Sequence, residues 1–200
     1  VKQAVLLLAV ACATAGANVD IEFRPVNPVI NVGDTARIGL YLTWDGTGAG
    51  QTVSALQVAF SWDPTFLDLT GLDGTGGATL ITSEFPAAGS GGLNDASIPV
   101  DGDGFYLGLA DLGLPIDTTV AGGALVTTFL FDGLAETPAT PVNMWPSGGS
   151  PLVRTTVFDG VTPNTDVTGT LSGTSITIIP APGAGLLFGV GAAGMLRRRR

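Results

Sequence analysis

Val19-Asp-Ile-Glu-Phe-Arg24 alternates apolar and charged residues without exception. A period of two places Val19, Ile21 and Phe23 on one face of an extended strand and Asp20, Glu22 and Arg24 on the other. The next run repeats the pattern. Ile38, Leu40, Leu42 and Trp44 share a face, with Arg37, Gly39, Tyr41 and Thr43 opposite. Leu56, Val58, Phe60 and Trp62 form a third such face, with Gln57, Ala59 and Ser61 outward. Trp44 and Trp62 are therefore expected in a core. Phe105 to Ala110, Ala124 to Phe131, Val142 to Trp145, Leu152 to Phe158 and Val167 to Ile179 read as further strands. Turn signals separate them: Val32-Gly-Asp34, Asp45-Gly46, Asp63-Pro64, Asp101-Gly-Asp103-Gly104, Asp132-Gly133 and Asp159-Gly160. No ten-residue stretch of the body carries a helical stripe free of Gly, Pro or β-branched runs. The expected fold class is all-β, an antiparallel sandwich of about eight or nine strands over residues 18–179. The Gly-rich segment Asp73 to Asp95 is expected to hold one short strand and a long surface excursion.

The two ends differ from this body. Lys2, the apolar stretch Ala4 to Ala11 and the small residues Ala13-Thr-Ala15-Gly-Ala17 have the order of a secretory signal peptide over residues 1–17. Cleavage is assigned after Ala17, with Ala15 as the alternative, and the Sec export machinery is the implied partner. A lipoprotein reading of Cys12 lacks the leucine expected three residues earlier. At the other end, residues 180–200 combine Pro180-Ala181-Pro182, an apolar run from Gly183 to Leu196, and Arg197, Arg198, Arg199 and Arg200. As a helix the apolar run would span roughly 21 Å, short of the ~30 Å hydrocarbon core. That length suits a transient anchor that a membrane enzyme cuts, with the arginines held on the cytoplasmic side.

This tripartite tail resembles the PEP-CTERM sorting signal of Gram-negative bacteria. The resemblance covers about a tenth of the chain, and Ala181 stands where the motif has glutamate. It implies an exosortase-type processing enzyme as partner and inner-membrane anchoring by the C-terminal segment before processing. A plain tail anchor is the alternative. The body has its own likeness. Val32-Gly-Asp34 ahead of the alternating run to Leu42, Leu56 to Pro64 followed by Phe66, Leu67 and Leu69, and Gly122 to Phe131 resemble cohesin strands in order. That resemblance implies a jelly-roll sandwich, and a dockerin-like protein as one class of partner.

Charge excludes one class of function. The chain carries −9, but five of its eight basic residues are Lys2 and the terminal arginines. The body keeps Arg24, Arg37 and Arg154 against seventeen acids, a net of −14. Such a surface repels phosphate backbones and anionic lipid, so no nucleic-acid partner is expected.

Chemistry is excluded on similar grounds. Without histidine, and with Cys12 as the one cysteine, neither a Ser-His-Asp triad nor a His-ligated zinc site can be built. The glutamates are Glu22, Glu84 and Glu136, and most aspartates adjoin Gly or Pro, where they bond turn amides. The chain is expected not to be an enzyme and to need no cofactor. Two binding sites remain as candidates. Asn94, Asp95, Asp101 and Asp103 lie within ten residues and offer oxygens to calcium, although an Asp-Gly hairpin turn explains them without metal. Trp145, beside Pro146 and near Gly148, and Tyr41, facing away from Leu40 and Leu42, are candidates for stacking on sugar. The expected function is an exported structural or adhesive protein of the cell surface or extracellular matrix. The alternative is a surface module that binds exopolysaccharide or a dockerin-like protein.

Overall fold

The computed structural model describes residues 18–182. Within them the chain is all-β, with no helix. The first seven strands are β1 (Val19–Pro25), β2 (Val29–Asn31), β3 (Thr35–Trp44), β4 (Thr52–Trp62), β5 (Leu67–Asp73), β6 (Leu80–Glu84) and β7 (Asp103–Ala110). Then come β8 (Ile116–Asp117), β9 (Ala124–Gly133), β10 (Thr137–Trp145), β11 (Ser147–Gly148) and β12 (Val153–Arg154). The last three are β13 (Thr156–Asp159), β14 (Thr168–Ser172) and β15 (Thr174–Ile179). Five strands form one sheet in the order β14-β1-β3-β9-β5. Eight form the other, β2-β15-β10-β4-β7-β6, with β13 and β8 also paired to β4. β11 and β12 make a separate small hairpin.

The sandwich architecture matches the expectation, while the strand count and two pairings correct it. Fifteen strands replace eight or nine, and β1–β14 and β2–β15 run parallel. The single strand expected from Val167 to Ile179 is two strands in different sheets, divided at Gly173. The chain there passes so close to β10 that a Cβ on Gly173 would stand 2.7 Å from the Val142 carbonyl oxygen. A residue without a side chain is what that crossing requires. Asp132-Gly133 is not a turn but the end of β9, where Asp132 lies opposite Thr35 and Asp68. The one short strand expected between Asp73 and Asp95 is β6.

Alternation does the packing. Val19, Ile21 and Phe23 on β1, Ile38, Leu40 and Leu42 on β3, and Leu56, Val58 and Phe60 on β4 are all buried in one core. Phe129 of β9 sits at its centre, with ring centroids 5.3 Å from Phe23, 5.1 Å from Phe60 and 5.4 Å from Tyr106, each edge-on. Edge-to-face contact sets the positive ring edge against a negative face. The Tyr106 and Ser83 hydroxyls share a hydrogen bond of 2.9 Å. Burial pushes the Tyr106 phenol up to about 12, with that bond partly opposing the shift. Trp62 is buried as expected, stacked on Phe60. Trp44 is only half-buried, because it ends β3 at the rim and its Nε1 donates to Thr47 O and Ala49 O of the next loop.

Candidate functional site

Each sheet turns one face outward, and the strand register fixes what each face carries. The outer face of the five-stranded sheet is polar and internally paired. Arg24 Nε donates to Glu22 Oε2 at 2.7 Å, and its Nη atoms donate to Thr43 Oγ1 and Gly122 O. Arg37 on β3 bridges to Asp73 on β5. Tyr41 points outward as expected, but it is not an open platform. Its ring lies across Gly39, where a Cβ would come within 2.6 Å of Cε2, and the Arg24 guanidinium carbon stands 4.6 Å from its centroid. A cation over an aromatic ring already occupies the kind of surface that sugar would stack on.

The outer face of the eight-stranded sheet is different. Its four rows, read across β4 with its neighbours, are Ala55 with Leu109 and Phe158, Gln57 with Leu107 and Thr156, Ala59 with Phe105 and Trp145, and Ser61 with Asp103 and Asn143. The third row is covered. Leu93 and Val153 close over Ala59, Phe105 and Trp145 to make a second, smaller apolar cluster. Trp145 is thereby a wall of that cluster, half-buried, rather than the open ring a pyranose needs.

Asn94 holds the strap that carries Leu93. Its Nδ2 donates to Pro86 O and Phe105 O, both at 2.8 Å, and its Oδ1 accepts from Phe105 N at 2.7 Å. One side chain thus takes the place of a neighbouring strand beside β7. The β11–β12 hairpin is tied to the same strap through Ser150 N–H and Gly91 O at 2.6 Å. The first two rows have no such cover. Ala55, Gln57, Leu107, Leu109 and Phe158 are half-buried and belong to neither apolar cluster. Sequence reading missed this patch. Its signal was Phe105 to Ala110, where apolar residues occupy both parities of one strand, so that both faces are apolar.

The calcium candidates are not gathered into a ligand set. Asn94 is buried and spends its amide on backbone groups, and Asp95 Oδ1 accepts from Val100 N at 3.1 Å. Asp101 is exposed, and Asp103 projects from the sheet face with its buried Oδ1 unpartnered. Burial first, then Asp101 and Asp95, raise the Asp103 carboxyl above its usual range. Among the described residues no group of three or more acidic side chains is arranged to hold a metal.

Among the described residues Asp159 is the one buried carboxylate. It clamps two loops, accepting from Gly50 N at 3.1 Å and Thr162 N at 2.7 Å. Burial opposes its ionisation, but these donors outweigh burial and hold its pKa low. The adjoining hollow of about 240 Å³ is lined by Gly48, Ala49, Gly50 and Val161 among others, and the carboxylate is spent on backbone rather than offered to it.

Ala15, Ala17, Gly183 and Arg197 to Arg200 lie outside the described residues, as does the expected C-terminal helix. Pro180, Ala181 and Pro182 follow β15, and Pro180 is exposed. No described helix is long and apolar enough to cross a membrane.

No protein-family model matches this sequence, and no curated protein matches it. Solved structures do. A cohesin module from a Clostridium perfringens family 33 glycoside hydrolase is similar with a TM-score of 0.53 at 12% identity, over 82% of this chain and 98% of that one. A chain of a type I cohesin–dockerin complex from Clostridium thermocellum gives 0.53 at 12%, over 80% and 99%. A non-cellulosomal cohesin from the archaeon Archaeoglobus fulgidus gives 0.50 at 12%, over 86% and 98%. The described sandwich has the cohesin fold, which is what the order of its strand motifs implied.

Proposed function

We propose that this chain is an exported, non-enzymatic surface protein whose sandwich binds a protein partner on the outer face of the eight-stranded sheet. One observation carries the reading. Leu107, Leu109, Ala55 and Phe158 form a contiguous, half-buried apolar patch on a sheet face of a net-acidic body, and neither apolar cluster absorbs them. Apolar surface left on a sheet face is stabilised by a partner that removes it from water. Glu84, paired to Leu107, and Asp103 flank the patch, so the fitting partner has apolar anchors with basic residues around them. A dockerin-like protein is one such partner, and the neighbour from Clostridium thermocellum forms a cohesin–dockerin complex. The signal-like residues 1–17 and the PEP-CTERM-like tail support export, exosortase-type processing and display at the envelope of a Gram-negative-type bacterium.

The test is capture of a surface-fraction protein by the wild-type chain and by two variants. Leu107→Asp is expected to lose the partner, because it puts a charge in the patch. Tyr41→Ala, on the opposite sheet, is expected to keep it. Equal capture by both variants would remove this face from consideration.

A further inference from the structure

We propose that the Asp63–Pro64 peptide bond is a self-cleavage site, where the folded turn promotes scission of its own chain in mild acid. The sequence marks this dipeptide only as a turn after β4. The structure adds the groups that such a reaction needs. The main-chain carbonyl oxygen of Asp63 accepts from both Phe66 N–H and Leu67 N–H, each at 3.1 Å. Two donors converging on one carbonyl oxygen stabilise negative charge developing there. The side chain is held as well, since Asp63 Oδ1 accepts from Thr65 N at 2.9 Å and from Thr65 Oγ1 at 2.7 Å. That anchors one carboxylate oxygen and leaves Oδ2 without a hydrogen-bond partner among the described residues. Pro64 is wedged against the opposite loop, where a Cβ on Gly102 would come within 2.8 Å of its Cδ. Its nitrogen bears no hydrogen, so the fold ties it into no hydrogen bond as a donor.

The step balances with water alone. Asp63 Oδ2 attacks the Asp63 carbonyl carbon and closes a five-membered ring, while the carbonyl oxygen takes charge between the Phe66 and Leu67 amides. The C–N bond breaks as the Pro64 nitrogen takes one proton from solvent and leaves as a secondary amine, with a cyclic anhydride on Asp63; a second proton from solvent makes that new N-terminus an ammonium. One water opens the anhydride to two carboxyl groups. The charged groups of the neighbouring segments are Asp101 and Asp103 on either side of Gly102, and Glu136 in the loop whose Leu134 N–H bonds Phe66 O. All three are acids, and their field draws protons to the turn. The Thr65 bonds also hold the Asp63 carboxyl below its usual range, so the attacking carboxylate persists as acid becomes available.

Scission would fall between β4 and β5. Each fragment holds strands of both sheets, and β3–β9 and β4–β7 pairs cross the cut. The product would stay assembled as a two-chain sandwich and separate only on denaturation.

The experiment incubates the full chain at about pH 4, near the carboxylate range, and reads fragments by denaturing gel and intact mass. The expected result is a new N-terminus at Pro64, formed at least about tenfold faster by the folded chain than by the same chain in concentrated guanidinium chloride. Asp63→Asn, which keeps a turn-forming side chain, is expected to give no fragments while still melting cooperatively as a folded chain, at a temperature only slightly lowered by the loss of the charged bonds to Thr65. Pro64→Ala, which restores an ordinary amide nitrogen, is expected to cleave at least about tenfold more slowly. No cut at Pro64, or equal rates for folded and unfolded chains, would overturn the proposal.

Discussion

Five aspartates are followed two residues on by a threonine that bonds back to them: Asp45, Asp63, Asp73, Asp117 and Asp166. In four of these turns the threonine hydroxyl also donates to the same carboxylate oxygen as its N–H. The threonine bonds hold Asp45, Asp63, Asp73 and Asp117 below the ordinary value of 3.8, and at Asp73 the Arg37 guanidinium adds to the effect. A carboxyl whose folded pKa is depressed contributes stability that is present above its unfolded pKa and lost as pH falls through the folded one. Asp103, which burial raises, acts in the opposite sense and is relieved by acid. Asp159, held low by its backbone donors, makes five depressed groups against one, so the melting temperature is expected to hold near neutrality and to fall below about pH 4. Replacing Thr47, Thr65 and Thr119 together by valine should make that fall shallower, which thermal melts across pH will show. The Asp-Gly and Asp-Pro turns were legible in the sequence because an Asx turn needs only its own four residues. The threonine half of the motif was missed, since threonine between strands reads equally well as strand.

At the scale of elements, the strap between β6 and β7 is the feature that most changes what the molecule presents. It shields the Ala59, Phe105 and Trp145 row and leaves the Gln57 and Leu107 row open. Its fastening is one side chain. Asn94→Ala would strip partners from the Phe105 N–H and C=O, each a buried backbone group costing about 1–3 kcal/mol when left unmade. The expected loss is roughly 2–4 kcal/mol, measurable as a lower denaturant midpoint, with Trp145 fluorescence shifted as its wall opens. Asn94 was singled out in the sequence for its oxygens as a metal ligand. Its real neighbours, Pro86 and Phe105, lie eight and eleven residues away, and no local pattern reports such a pairing.

For the molecule as a whole, the described residues begin and finish at opposite ends of the sandwich. β1 begins beside Trp44 at the close of β3, and β15 finishes beside Asn31, just ahead of β3's start. A tail leaving after Pro182 would set its attachment at the end that carries the 63–66 turn, with Asn18 distal. Terminal peptide mapping of the native protein from membrane and medium fractions is expected to find Asn18 first and nothing beyond about Pro182, with added mass at the new end. An intact Arg200 confined to membranes would instead make the tail a plain anchor. Fold class and core were legible because alternation is local. Val19 to Arg24 needs only its own period of two to assign an inner and an outer face. The sequence by itself also determined the acidic surface and the absence of histidine, since composition does not depend on folding. Only the tertiary structure decided that the last long strand divides between sheets at Gly173, that Arg24 covers Tyr41, and that Trp145 is roofed by Leu93. Each of those depends on residues distant in the chain meeting across a register, and the information for such a meeting is spread over both partners rather than written in either.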